Sequence, residues 1–421
     1  MKFLKTIPTK LEAGALTYTL FVAILSSIIL SAIILGGYYY KIEYLHYKIE
    51  KQNIENLSSS VALSLAVDDI PYHEEYYSQL FSEGTDSVMI SRQPWGVWDV
   101  FKVRTFNAKS DYIRYFARAF KRSEKAMSAL YLYDEGRPVS VSGKAKITGK
   151  AYLPKSGIRS SYVGRIGYGN SKLIYGTKLE SKDEMPALNS GKKETIRHFT
   201  AGNVSKLYPE YLIVKDNSIN YMRFDSDTVV YQNYRSVSIR DSISGRVWIN
   251  ASERIFVESK AFLENTILSA PIIEIDSGFT GALQLFATDT ILIGRNVHLE
   301  YPSFLGVLND DPPATISIEP NSKITGVVYM DGEKDRYNLR ILSIADQATV
   351  EGMVYCNGMT DILGSIEGHI STRKFLINTF SGVYENYIFN AKLNGEAINP
   401  DFAGIDLWYY DNEKVILKWL D

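Results

Sequence analysis

The sequence predicts a mainly β protein: an N-terminal transmembrane helix with a helical extension, followed by a β-helix-like (solenoid) extracytoplasmic domain. Three observations predict it. No charged residue stands between Ala13 and Tyr40, aromatic and β-branched residues alternate from about Ser87 onward, and a short motif centred on glycine recurs five times. The composition sets the frame. A chain of 421 residues has room for two or three domains. Its 45% hydrophobic and 22% charged residues exclude a disordered or collagen-like chain. With 46 Lys+Arg against 48 Asp+Glu the net charge is −2, so no overall basic surplus points to nucleic acid as a partner. One cysteine and five scattered histidines argue against zinc, haem and iron–sulfur chemistry, and no cofactor or metal ligand is nominated.

Residues 1–14 read as a basic leader, with Lys2, Lys5 and Lys10 ahead of Glu12. Residues 15–40 supply more than the ~20 apolar residues that cross a bilayer core, and Tyr38, Tyr39 and Tyr40 suit the headgroup belt. The alternative is a cleavable secretory signal, but such a signal has a shorter apolar core and a small-residue cleavage site after it. Lys and Arg tie on the two sides. The free amine favours a cytoplasmic N-terminus in the inner membrane, with the rest periplasmic or extracellular.

Residues 41–70 place Ile42, Leu45, Ile49, Ile54, Leu57 and Val61 near helical spacing, which predicts an amphipathic extension ending near Asp68, Asp69 and Pro71. Residues 85–235 read as a β-rich membrane-proximal domain, in which the Gly-, Ser- and Lys-dense stretch 155–215 is an exposed excursion. Residues 236–380 carry the solenoid-like pattern and 381–421 end in further strands.

The repeat is the most informative pattern. ITGKAY (147–152) recurs as ISGRVW (243–248), ITGVVY (324–329) and VEGMVY (350–355), with a worn copy IEGHI (366–370). In a strand the first, third and fifth positions share a face, so one face carries a β-branched residue, the repeat glycine (Gly149, Gly245, Gly326, Gly352, Gly368) and Ala, Val or Ile. An inward glycine lets a neighbouring backbone approach closely or a strand turn a corner. The last three glycines lie 26 and 16 residues apart, the scale of one solenoid coil. A β-sandwich has similar strand lengths but does not need a mid-strand glycine. Stacked copies would line up Trp248, Tyr329 and Tyr355 as an outward aromatic ladder suited to sugar rings or a partner surface. The alternative is that 155–215 or the C-terminal segment covers them.

No catalytic residue is nominated. Asp310 and Asp311, and Asp331, Glu333 and Asp335, sit in turn-like segments, and their spacing does not predict a glycosidase pair. His298 and His369 lack a nucleophile motif nearby, and lone Cys356 reads as a small buried hydrophobe.

Gly14 and Ala15 follow a short basic leader and precede a long apolar helix, and this start resembles that of type IV pilins and minor pseudopilins. The resemblance implies cleavage after Gly14; the position five residues into the mature chain is Thr19, where most members carry Glu. The strings GALTYTLFVAIL, ILSAPIIEIDSGFTGALQLFATDTILIG and VEGMVYCNGMTDILGSIEGHISTRKF resemble a group of uncharacterised single-pass envelope proteins of Bacteroidota. That resemblance implies an envelope setting and no activity. The expectation is a non-enzymatic envelope protein, held in the lipid bilayer through residues 15–40 and partnered by envelope proteins, as a structural or pilin-like minor component of a secretion or surface-filament assembly. The alternatives are a cell-surface β-helix that binds or cleaves carbohydrate, and a scaffold that polymerises through open coil ends.

Overall fold

The computed structural model describes residues 12–67, 70–78, 87–107, 110–122, 128–214, 220–311, 313–333, 339–379, 382–408 and 412–420. Asp68, Asp69 and Asp335 lie outside the described residues. The chain is mainly β with a long apolar helix at its N-terminus, and it divides into two units.

The smaller unit comprises Met1–Ala62, Tyr77–Met89 and Arg104–Ile113. Helix α1, Glu12–Ala66, runs 55 residues and continues into the larger unit. It is long and apolar enough to cross a membrane, with a mean hydropathy of 2.5 in its richest window and none of that window buried. Leu20, Ile24, Ile28, Ile33 and Leu35 are all exposed, as suits a helix that is apolar all round.

The distal half differs from expectation. Val61 is buried, but Leu45 and Ile54 are 45% and 52% exposed. The stripe that packs is polar instead: Asn53, Asn56 and Ser60 follow one another at helical spacing and are buried. Asn53 Nδ2 donates to Ser110 Oγ at 2.5 Å, and Ser60 Oγ donates to the Asn56 carbonyl at 2.6 Å. The Asn53 and Ser60 side chains have hydrogen-bond partners, as buried polar groups commonly do.

The larger unit holds Leu63–Tyr76, Ile90–Val103 and Arg114–Asp421. The strands Ser87–Trp95, Trp98–Phe106 and Asp111–Arg122 form a sheet that Asn412–Trp419 joins antiparallel, with Val415 opposite Ala119. Gly96 (φ 61°) makes the two-residue hairpin turn, and Gln284 fixes it by accepting from the Val97 N–H at 2.8 Å and donating to the Trp95 carbonyl at 3.1 Å.

Most of the remaining strands pair in parallel and close on themselves; Tyr387–Phe389, Val139–Ser142 and Ile158–Ser160 form a separate parallel sheet, and Gly382–Glu385 runs antiparallel to Ser365–Thr379. One interior ladder pairs Leu299 with Ile324, Ile324 with Val350, Val350 with Ile366, Ile366 with Leu393 and Leu393 with Ile147. A second pairs Ile273, Ile291, Ile316 and Leu342 in turn. Their side chains form one continuous core. Aliphatic and β-branched residues stack in columns because parallel strands bury the same position at every step.

Space and chain order part company at one point. After Ser365–Thr379 the next neighbour is an early segment: Ile370 pairs with Leu130, Leu130 with Ala151, and Ala151 with Lys178. At the opposite end Leu212 pairs with Val229, and Val229 with Val247. The chain therefore leaves one end at Glu180 and re-enters at the other at Tyr211. That is about eleven strand spacings, or ~50 Å at the usual separation. Helix α2 (Ser190–Thr200) and the short helix α3 (Val204–Leu207) lie on this return path.

Candidate functional site

The repeat glycines sort by register. Gly326 pairs with Gly352 and Gly352 with Gly368, at φ of 154°, 138° and 142°. A Cβ on Gly352 or Gly368 would run into the carbonyl oxygen of the glycine before it, so the column requires glycine for both its backbone angle and its close approach. Gly149 joins the far end of this corner, its Cα side facing Gly395. Gly245 sits apart, opposite Met222.

The aromatic ladder is present, but it is closed over and differently composed. Tyr329 and Tyr355 pair directly, with ring centroids 5.8 Å apart. Trp248 stands in the neighbouring column, over Ile267, Gln284, Phe304 and Val327, because register shifts after Glu264, Gly281 and Leu299 move it out of line with Tyr329. Phe199 of α2 bridges the gap, 5.0 Å from both Trp248 and Phe286, and Phe304 continues the series to Tyr329. Trp408 closes the other end against Tyr355 at 6.3 Å. Trp248 and Tyr329 are 0% exposed and Tyr355 is 3%, so the expectation of an outward, open ladder is corrected. The return path and the C-terminal segment cover the rings, and burial of this apolar face drives that covering.

The acidic clusters bind the cover. Lys193 and Arg197 stand one turn apart on α2; Lys193 Nζ reaches Asp331 at 2.6 Å, and Arg197 pairs with Asp310. Asp331 also accepts from Tyr329 Oη at 3.0 Å and from Asn357 Nδ2 at 2.9 Å. The Arg197 hydrogen bond holds the Asp310 carboxyl below its ordinary range. Asn189 caps α2, its Oδ1 accepting from Gly191 N at 3.0 Å.

A buried ionic cluster, which sequence reasoning missed, fixes the other side of α2. Asp99 accepts from Arg92 at 2.7 Å, Tyr72 Oη at 2.8 Å, Lys192 Nζ at 3.1 Å and Arg118 at 3.2 Å. Burial pushes this carboxyl up, but Lys192, Arg92 and Arg118 outweigh it and hold the group far below the usual carboxylate range. Burial raises neighbouring Asp406, against the pull of Lys192. The available signal was a carboxylate between Trp98 and Val100 and an arginine between Ala117 and Ala119, charges set inside apolar strands.

His369 lies beneath Trp408, edge to face at 6.4 Å. Its Nδ1–H donates to the Ser128 carbonyl at 2.8 Å, which leaves Nε2 to accept from Ser371 Oγ at 2.6 Å. A serine on a histidine is the beginning of a nucleophile pair, but Ser371 is 0% exposed. Beside the ring is a cavity of about 260 Å³, lined mainly by Met353, Ile398, Pro400 and Phe402, with Lys121 and Glu396 at its polar part. Cys356 is buried against Met330 and the Met359 carbonyl, and burial pushes its thiol up to about 11. His298 is exposed at the start of its strand. Gly14 lies in the first turn of α1 with open space around it. No group of three or more metal-ligating side chains occurs among the described residues.

No protein-family model, curated protein sequence or solved structure matches this chain.

Proposed function

We propose that the chain is a membrane-anchored structural protein of the cell envelope, built as a pilin-like minor component whose distal domain is a β-solenoid. The observation that carries this reading is the division of α1. Its first half is apolar on every side and unpacked, and its second half lays a polar Asn53–Asn56–Ser60 stripe on its own unit. A helix built this way serves as a bilayer anchor before assembly and as a packing rod afterwards, and the leader ahead of Gly14 supplies a place to release it. On this reading the N-terminus is cytoplasmic and the β domain lies outside the cytoplasm. The parallel columns support the solenoid reading, since each strand pairs with the equivalent strand one coil on.

The buried chemistry-bearing side chains support a structural role, because they are committed to packing. Asp310 and Asp331 clamp α2, His369 is held between two serines under Trp408, and Cys356 is enclosed by methionine. Mass spectrometry of the mature N-terminus, in cells with and without a prepilin peptidase, tests the pilin part. Cleavage between Gly14 and Ala15 only in the presence of the peptidase is expected; an intact Met1 in both overturns it.

A further inference from the structure

The far end of the parallel stack has a composition unlike any other part of the chain. Residues 138–179 hold eight Lys or Arg and no Asp or Glu, leaving 38 basic against 48 acidic residues elsewhere. The fold carries these charges on the last strands in the pairing order and the turns beside them. Lys178–Glu180 pairs with Ala151–Leu153, Ile158–Ser160 pairs along Val139–Ser142, and among the described residues no strand pairs beyond them.

Elsewhere on the domain Arg240, Arg254, Arg295 and Lys323 each meet a carboxylate, whereas Arg235, Lys260 and Lys392 stand singly and are scattered along the chain. At the terminal coils Lys144, Lys155, Arg159, Arg165, Lys172 and Lys178 have no carboxylate within ion-pair distance among the described residues. All six are exposed. Tyrosine rings stand among them: Tyr162 is 69% exposed, and Lys146 Nζ lies 5.0 Å from the ring centre of Tyr175.

We infer that this end of the stack binds an acidic polysaccharide, a carboxylated or phosphorylated glycan chain. The charge selects a polyanion, since unpaired cations of one sign raise the local concentration of the opposite charge, and a long flexible polyanion can reach several of them. The neighbours select the kind of polyanion. Exposed Ser156, Ser160, Ser171 and Thr177 alternate with the cations and match sugar hydroxyls, while tyrosine faces suit the apolar side of a sugar ring. A lipid surface calls for a contiguous basic cluster beside a membrane segment, whereas these cations are single and spaced by turns. This inference does not rest on the pilin reading, because the surface is the same whatever becomes of the leader.

The test uses the full chain in nanodiscs of zwitterionic lipid, with polygalacturonate as probe and its fully methyl-esterified form, single-stranded DNA and phosphatidylglycerol vesicles as comparisons. Polygalacturonate is expected to bind in a salt-sensitive way and the neutral ester not to bind. The triple variant R159E/R165E/K172E is expected to weaken binding on the order of tenfold or more. The variant R240E/R295E, in which cations elsewhere on the domain are reversed, is expected to keep its affinity. If the triple variant loses its native circular dichroism, K144A/K178A takes its place. Unchanged affinity in the folded terminal-coil variant overturns the inference, as does binding of DNA or vesicles as tight as that of polygalacturonate.

Discussion

Lys192 Nζ lies 3.1 Å from Asp99 Oδ1, and both side chains are buried. This pair ties α2 to the antiparallel sheet, while Phe199 on the same helix ties it to the parallel stack. The helix is therefore held from two sides by different physics: a charge that cannot be left unpaired, and rings that avoid water.

Asp99→Asn leaves Lys192, Arg92 and Arg118 without their carboxylate and is expected to destabilise the larger unit by about 3–5 kcal/mol, whereas Lys192→Met leaves Asp99 paired with both arginines and should cost less. Urea denaturation followed by tryptophan fluorescence measures this, and a loss below ~1 kcal/mol in Asp99→Asn contradicts the role assigned to the cluster. The pH dependence has a definite sign. The folded-state value of Asp99 is depressed, so its stabilisation is complete above the ordinary carboxylate range near pH 4 and fades as pH falls toward the folded value. Asp99→Asn should flatten the acid limb of the stability curve.

Phe199→Ala should open the aromatic column. The ring packs at a tilt against Trp248, stacks on Phe286 and is fully buried, so its truncation is expected to cost about 3–5 kcal/mol. Acrylamide quenching of a variant retaining Trp248 as its only tryptophan reads the uncovering. Quenching should rise in Phe199→Ala and stay low in the parent; equal quenching means that α2 does not shield the ring.

Asp361 gives the opposite pH signature. Burial pushes its carboxyl up to about 6, so folding disfavours its ionised form. Stability should fall as pH rises from about 4 to 6, because the folded state holds the proton longer than the unfolded chain does. Asp361→Asn should raise stability at pH 7 by about 1 kcal/mol, allowing for solvent screening, and make no difference at pH 3. Melting temperature across pH 3–7 checks both ends.

The legible part of the fold was whatever repeats locally. An uncharged run gives a helix without reference to the rest of the chain, and the glycines at 326, 352 and 368 announce a shared corner because each needs the same backbone angle. What did not show was which strand lies beside which. Nothing in the residues around Ile147 says that Leu393 is its neighbour, since any aliphatic column accepts any aliphatic strand. The cover over Tyr329 and Tyr355 follows from that hidden order, because only a chain that starts its stack at the wrong end must send a segment back along it. The register shift that displaces Trp248 is likewise invisible, for bulges are set by pairing partners. The buried stripe on α1 is polar, so it leaves no apolar periodicity in the sequence.

The glycine column permits the sharpest test of the stacked corner. Gly352→Ala places a methyl group at φ 138° and against the Gly326 carbonyl, with the Phe402 ring on its other side. Neither constraint can relax alone, because moving the strand away from Gly326 also breaks its pairing with Gly368. The loss should exceed the ~1–3 kcal/mol of backbone strain by itself. Gly136→Ala is the control: its φ of 74° carries similar strain, but a Cβ there meets open space. Thermal melts of the two variants should therefore separate, with Gly352→Ala the lower by several degrees. Equal melting points would mean that the column tolerates a side chain and that the paired strands do not approach closely at this corner.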